Sequence, residues 1–303
     1  MQKNSSKTIL GLHFLVFIWG FTSILGALIT LDSISLVWYR LTIASFLIFF
    51  LFKKKVKLKE IFFCSLGGML ITIHWILFFH SIKISSVSVA VIMLSTGALM
   101  TSFLEPIFFK RKIYPYEFLI GLLVVAGIYF IFKSESSSSY GILIALVATF
   151  FSVLFAILNS YLVKVKNYNY ISISFLELLT GLVFLTIYMI FFNKFQSDFF
   201  KLKLMDFIFL FLLGSIGTAF AFIYSVKLMK KISPYTLMLT LNLEPVYAII
   251  LSILIFREKE ILGFNFYIGS LIILFSIFLN SLIKFNYFKK IKILKYFKKL
   301  WNI

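Results

Sequence analysis

Apolar runs of about twenty residues recur along all 303 positions, separated by short polar or basic breaks. The pattern predicts ten apolar helices, over 9–29, 34–52, 61–82, 85–104, 115–132, 140–163, 170–192, 205–227, 233–256 and 262–283. At about 1.5 Å of rise per residue, each crosses or nearly crosses a hydrocarbon core of about 30 Å. The expected fold is therefore an all-α membrane protein with ten transmembrane helices. The first run lacks a small-residue cleavage site and is followed at once by a second, so it reads as a span rather than a cleaved signal.

The chain also repeats itself. "ISLVWYRLTIAS" from Ile34 lines up with "ISISFLELLTGL" from Ile171, and "HSIKISSVSVAVIMLSTGALM" from His80 with "YSVKLMKKISPYTLMLTLNLE" from Tyr224. "YEFLIGLLVVAGIYFI" from Tyr116 matches "FNFYIGSLIILFSIFL" from Phe264. Spans 1–5 thus correspond to spans 6–10. An odd number of spans per copy turns the second copy upside down, giving two inverted five-helix repeats, a common build of secondary transporters. The expected units are residues 1–135 and 140–284, joined by the polar run "KSESSSSYG" and followed by a tail, 285–303.

Composition supports the membrane reading: 61% of residues are hydrophobic. The formal charge of +19 invites nucleic acid as a partner, but its distribution argues otherwise. Of 30 basic residues, 22 fall on one alternating set of inter-span segments and 7 on the other. That asymmetry is the positive-inside signature and places both termini in the cytoplasm of a plasma-membrane, multi-pass protein. In the tail, Lys292, Lys295, Lys298 and Lys299 fall on one helical arc and Ile293, Leu294, Phe297, Leu300 and Trp301 on the other. That suits a helix lying on an anionic inner leaflet, with a disordered basic tail as the alternative. A lone cysteine, Cys64, excludes an internal disulfide. The 40 phenylalanines read as lipid-facing or packing residues.

Within "SPYTLMLTLNLEPVYAIILSILIF" the twelfth of 24 residues is Glu244, followed by Pro245. Helical rise puts that carboxyl about 18 Å from either end. An ionised group there costs about 3 kcal/mol, while each neighbouring Leu or Ile repays about 0.5 kcal/mol. Glu244 must face a cavity, find a partner or carry a proton. Thr236, Thr240, Glu244, Ala248 and Ser252 form one polar, small-residue stripe. Pro245 removes a backbone hydrogen bond and gives the helix a weak point. Middle depth and similar stripes group Trp19, His74, Trp75, Thr96, Thr240 and Glu244 as an expected substrate-binding set, with Glu244 as proton-coupling group and Pro245 as helix break. The competing reading is structural: small residues let membrane helices pack closely, and a buried glutamic acid can serve as a neutral hydrogen-bonding group.

Arg40 and Glu177 occupy matching places in spans 2 and 7. Inversion puts them near opposite faces, so no pairing is expected, and Arg40 is expected to snorkel to its interface beside Trp38 and Tyr39. No G-x-x-x-x-G-K-[ST] run, HExxH spacing or GxSxG elbow occurs. The reading therefore includes no catalytic residue, metal or cofactor.

Four features resemble the EamA-type branch of the drug/metabolite transporter superfamily: the 5+5 layout; Trp19-Gly20; "WYRLTIAS" with Arg40 and Ala44; and "LNLEPVYAIILSILIFREKEILGFNFYIG" with Pro245, Glu258 and Gly269. In the first half Gly97 stands where the second has Pro245, and Lys110 where it has Glu258. The resemblance implies a secondary carrier of a small metabolite, an exporter of an amino acid or similar compound. The rival class is a membrane-embedded enzyme or scaffold.

Overall fold

A computed structural model describes residues 6–53, 56–110, 115–134, 139–256, 262–276, 278–279 and 282–283. The basic tail, Glu258 and the middle of the linker lie outside the described residues. The helices are α1 (Ser6–Leu28), α2 (Ser33–Phe49), α3 (Leu58–Ile84), α4 (Val87–Leu94), α5 (Gly97–Phe109), α6 (Pro115–Ser134), α7 (Ser139–Lys164), α8 (Tyr170–Phe191), α9 (Leu204–Gly214), α10 (Ala221–Met229), α11 (Pro234–Leu241) and α12 (Glu244–Phe256). The last is α13 (Phe264–Ser276). Among the described residues, seven stretches are long and apolar enough to cross a membrane: α1, α3, α4–α5, α7, α8, α9–α10 and α11–α12. α2, most of α6 and α13 are shorter apolar helices.

Helix starts follow capping chemistry. Asp32 accepts from the Ile34 and Ser35 amides ahead of α2, and Asn169 accepts from Ile171 and Ser172 ahead of α8. Ser86 accepts from Val89 N at α4, and Ser233 from Thr236 N at α11. Each side-chain oxygen satisfies amide donors that the first helical turn leaves open. In α11, Pro234 occupies the first position, where its missing N–H costs nothing.

Three expected runs are interrupted, and each interruption has a local cause. Between α4 and α5, Ser95 N and Thr96 N bond back three residues, to Ile92 O and Met93 O. Between α11 and α12, Asn242 N and Leu243 N do the same, to Leu239 O and Thr240 O. Both are short 3₁₀ turns replacing an α-helical turn. In the second half the break lies just before Pro245, which cannot donate to Leu241. Between α9 and α10, Ser215–Phe220 form a π-helical turn, in which Thr218 Oγ1 donates to Leu213 O, five residues back, at 2.7 Å.

Packing repeats across the two halves. α3 packs on α7 as α9 and α10 pack on α1, and α3 lies on α8 as α9 lies on α2. α4 packs on α12 and α5 on α11, so the two broken helices run antiparallel with their breaks side by side. Ser88 Oγ and Ser252 Oγ meet at 3.2 Å across the α4–α12 contact. α6 meets α13 through glycine: a Cβ at Gly127 would stand 2.9 Å from Gly269 O. Small residues are what allow such close backbone approach. Large side chains such as Phe46, Phe62, Phe150, Phe207 and Phe211 are exposed, a surface suited to lipid.

Candidate functional site

The site begins with Gly20. A Cβ there would stand 3.1 Å from Tyr247 Cβ and 3.7 Å from Glu244 O. Glycine therefore lets α1 close on the start of α12, which brings Trp19 beside Glu244. Around them the break between α11 and α12 and the middles of α3, α7 and α10 leave a cavity. It offers about 80 Å³ to the centres of water-sized molecules. At about 10–15 Å³ for one such centre, it suits a handful of waters or one small solute. Trp19, Arg40, His74, Trp75, Thr149, Ser152, Phe155, Ser225 and Glu244 are among its walls, with Leu and Met between them.

Trp19, His74, Trp75 and Glu244 thus share one cavity. Thr96 and Thr240 are not on its wall. Each hydroxyl bonds back to a nearby carbonyl of the preceding turn: Thr96 Oγ1 donates to Met93 O at 2.7 Å and Thr240 Oγ1 to Thr236 O at 2.9 Å. Pro245 is buried at the second position of α12, next to the break rather than inside it.

Arg40 differs from its expected place. Rather than snorkelling to an interface, it is 2% exposed and points inward. The physical reason has two parts. The ordered helix α2 is 17 residues long and Arg40 is its eighth, so it sits at mid-helix. The π-turn then supplies acceptors: Arg40 Nε donates to Thr218 Oγ1 at 2.6 Å and Nη2 to Gly217 O at 3.5 Å. The guanidinium lies over the Trp75 ring, 3.8 Å from its centroid. Stacking and a side-on hydrogen bond hold the planar group while leaving its far edge toward the cavity. Trp38 and Tyr39, by contrast, are half-buried under the loop between α8 and α9, against Phe195, Phe199 and Phe200. Trp38 Nε1 donates to Thr186 Oγ1 at 2.9 Å, and Tyr39 Oη donates to Phe199 O at 2.7 Å.

His74 Nδ1 lies 2.9 Å from Ala148 O. A carbonyl only accepts, so the proton is on Nδ1 and Nε2 is left available. Arg40 acts electrostatically on both His74 and Glu244. Yet among the described residues neither Arg40 nor Glu244 takes part in an ion pair within 4.0 Å. The cavity therefore holds a cation and an acid that are buried but not bonded to each other. Among the described residues no three His, Cys, Asp or Glu side chains gather as metal ligands. The wall thus carries one guanidinium, one carboxyl, an imidazole and indole faces, beside several hydroxyls.

Glu177 lies elsewhere, buried between α3, α7 and α8 and not on the cavity wall. Thr22, Ser152 and Ser225 also line the cavity; in the sequence they stand among small residues, where a site cannot be told from close helix packing. The signal for Arg40 was its position inside an apolar helix, where an arginine needs built acceptors.

Comparison with curated proteins gives no match. A crystal structure of another protein superposes with a TM-score of 0.63, covering 92% of this chain and 98% of its own, at 15% identity; this likeness concerns the fold alone. The EamA-like transporter family model matches residues 6–133 and again 139–282. With two copies of that unit over nearly its whole length, and apolar helices suited to spanning a membrane, the chain is a multi-pass membrane protein belonging to the EamA-like transporter family.

Proposed function

We propose that the protein is a ten-helix secondary transporter of the plasma membrane, built as two inverted repeats with cytoplasmic termini. It carries a small zwitterionic, partly apolar metabolite, an amino acid or a similar compound, out of the cell, and Glu244 couples the movement to protons. One observation carries the reading: Arg40 and Glu244 face one cavity with opposite formal charge and no ion pair to each other. Buried charge is costly unless matched, and a zwitterion matches both groups at once. Its carboxylate meets the free edge of Arg40, its ammonium meets Glu244, and its side chain meets Trp19, Trp75 and Phe155. A proton taken up by the Glu244 carboxylate would compete with the ammonium, which gives coupling a physical route. The antiparallel breaks at 95–96 and 242–243 are the natural places for the two halves to alternate. The direction, export, is supported by the family resemblance.

The test is transport by proteoliposomes, with amino acids and their methyl esters as counterflow substrates. Glu244→Gln keeps shape but cannot titrate. The expected result is loss of accumulation driven by a pH gradient, with substrate exchange weakened, since the ammonium loses its counter-charge, but still measurable. If the variant still accumulates substrate over a range of pH, Glu244 is not the coupling group. If no zwitterion exchanges, the substrate assignment is wrong.

A further inference from the structure

A second acid is built into the fold away from the cavity. Glu177, the eighth residue of α8, is fully buried. Its Oε1 accepts from Asn159 Nδ2 of α7 at 3.0 Å. Its Oε2 is buried without a hydrogen-bond partner among the described residues, and so is Asn159 Oδ1. Two acceptors of one carboxyl–amide pair therefore lack donors together. The pocket around them is shaped by glycine. A Cβ at Gly67 of α3 would fall on the Glu177 carboxyl, and one at Gly68 on the Glu177 main-chain oxygen and the Thr180 hydroxyl. α3 belongs to the first half of the chain, α7 and α8 to the second, so the pair lies at the junction of the repeats.

We infer that Glu177 and Asn159 form a proton-binding site at this junction, in which Glu177 is an un-ionised acid. A carboxyl and a primary amide present their two polar atoms at nearly the same spacing. Set edge to edge they make two parallel hydrogen bonds. Asn159 Nδ2–H donates to Oε1, and a proton on Oε2 donates to Asn159 Oδ1. One proton supplies the donor that both open acceptors need, and it removes a charge from a place with no counter-ion. The neighbours agree. α3 presents Cys64, with Glu60 a turn earlier, and neither is a cation. α2 meets α8 through Phe49 and Phe52 against Phe175, and through the Trp38–Thr186 bond. From α10 and its C-cap, Lys227 and Lys230 lie over Tyr170, two turns before Glu177 on α8. Glu177 itself is in no ion pair within 4.0 Å among the described residues. This proton is resident, unlike the one proposed to exchange at Glu244. The inference does not rest on the transport reading.

The test is infrared difference spectroscopy of the full chain in lipid at pH 8, in the Glu244→Gln background so that the cavity acid contributes nothing. The expected spectrum has a carbonyl stretch of an un-ionised carboxyl. That band is lost in Glu177→Gln and shifts in Asn159→Leu, where its hydrogen-bond partner is gone. If Glu177→Gln fails to fold, the Asn159→Leu shift decides alone. Carboxylate stretches assigned to Glu177 at that pH would overturn the inference. So would a sodium-dependent rise in melting temperature that vanishes in Glu177→Gln, since a cation would then occupy the two open oxygens.

Discussion

Replacing Arg40 by glutamine separates recognition of a carboxylate from mere filling of the cavity. Glutamine keeps an amide that can reach Thr218, but it removes the charge and the flat cation stacked 3.8 Å from the Trp75 centroid. Two quantities change. The stacking of a buried guanidinium on indole is worth about 2 kcal/mol, and its loss acts on stability. A charge-assisted hydrogen bond to a substrate carboxylate is worth about 1.5–3 kcal/mol, which corresponds to roughly a 10- to 150-fold weaker dissociation constant at 1.4 kcal/mol per decade. The two are separable by measuring melting temperature and affinity on the same preparation. Affinity is read by competition in counterflow for an amino acid and for its methyl ester. The expected outcome is a 10-fold or greater loss for the acid in Arg40→Gln, and a loss of less than threefold for the ester, which brings no carboxylate. Arg40→Lys retains charge but neither the fork nor the flat face, so it falls between. If acid and ester weaken equally, Arg40 shapes the cavity but does not read the carboxylate, and the reasoning fails.

Thr218→Val removes both the Leu213 bond of the π-turn and the main acceptor of Arg40. Leaving a buried charged donor unsatisfied costs about 1–3 kcal/mol or more, so a lowered melting temperature in detergent is expected, with weaker substrate binding; an unchanged value for both argues that the π-turn does not hold Arg40. Gly67→Ala puts a methyl group onto the Glu177 carboxyl; overpacking of this kind costs about 1–3 kcal/mol, and a melting temperature equal to that of the parent would show that α3 does not seat the acid. A cysteine at Ser137, in a background where Cys64 is buried, is expected to label from outside the cell only; labelling from the cytoplasmic side alone reverses the proposed topology.

The linear order of residues was enough for the broad architecture. Apolar runs of this length have no soluble use, so the membrane class and the approximate helix positions follow from hydropathy, and the internal match of the two halves follows from the residues alone. The place of Glu244 midway along its apolar run could also be read, because position along a run is counted by residue number. Azimuth is different. Which face of a helix meets a cavity depends on how its neighbours are rotated and tilted, and the small-residue stripes are compatible with either packing or a site. Only the tertiary structure turned Arg40 from the interface to the cavity. Its acceptors, Thr218 and Gly217, come from a π-turn about 180 residues away in sequence, and no local pattern announces a π-turn. The same holds for Thr96 and Thr240, which the packing leaves off the cavity wall, and for Glu177, whose partner Asn159 and glycine cradle come from two other helices, α7 and α3. Charge that is buried is placed by long-range geometry, because the groups that compensate it need not be neighbours in the chain.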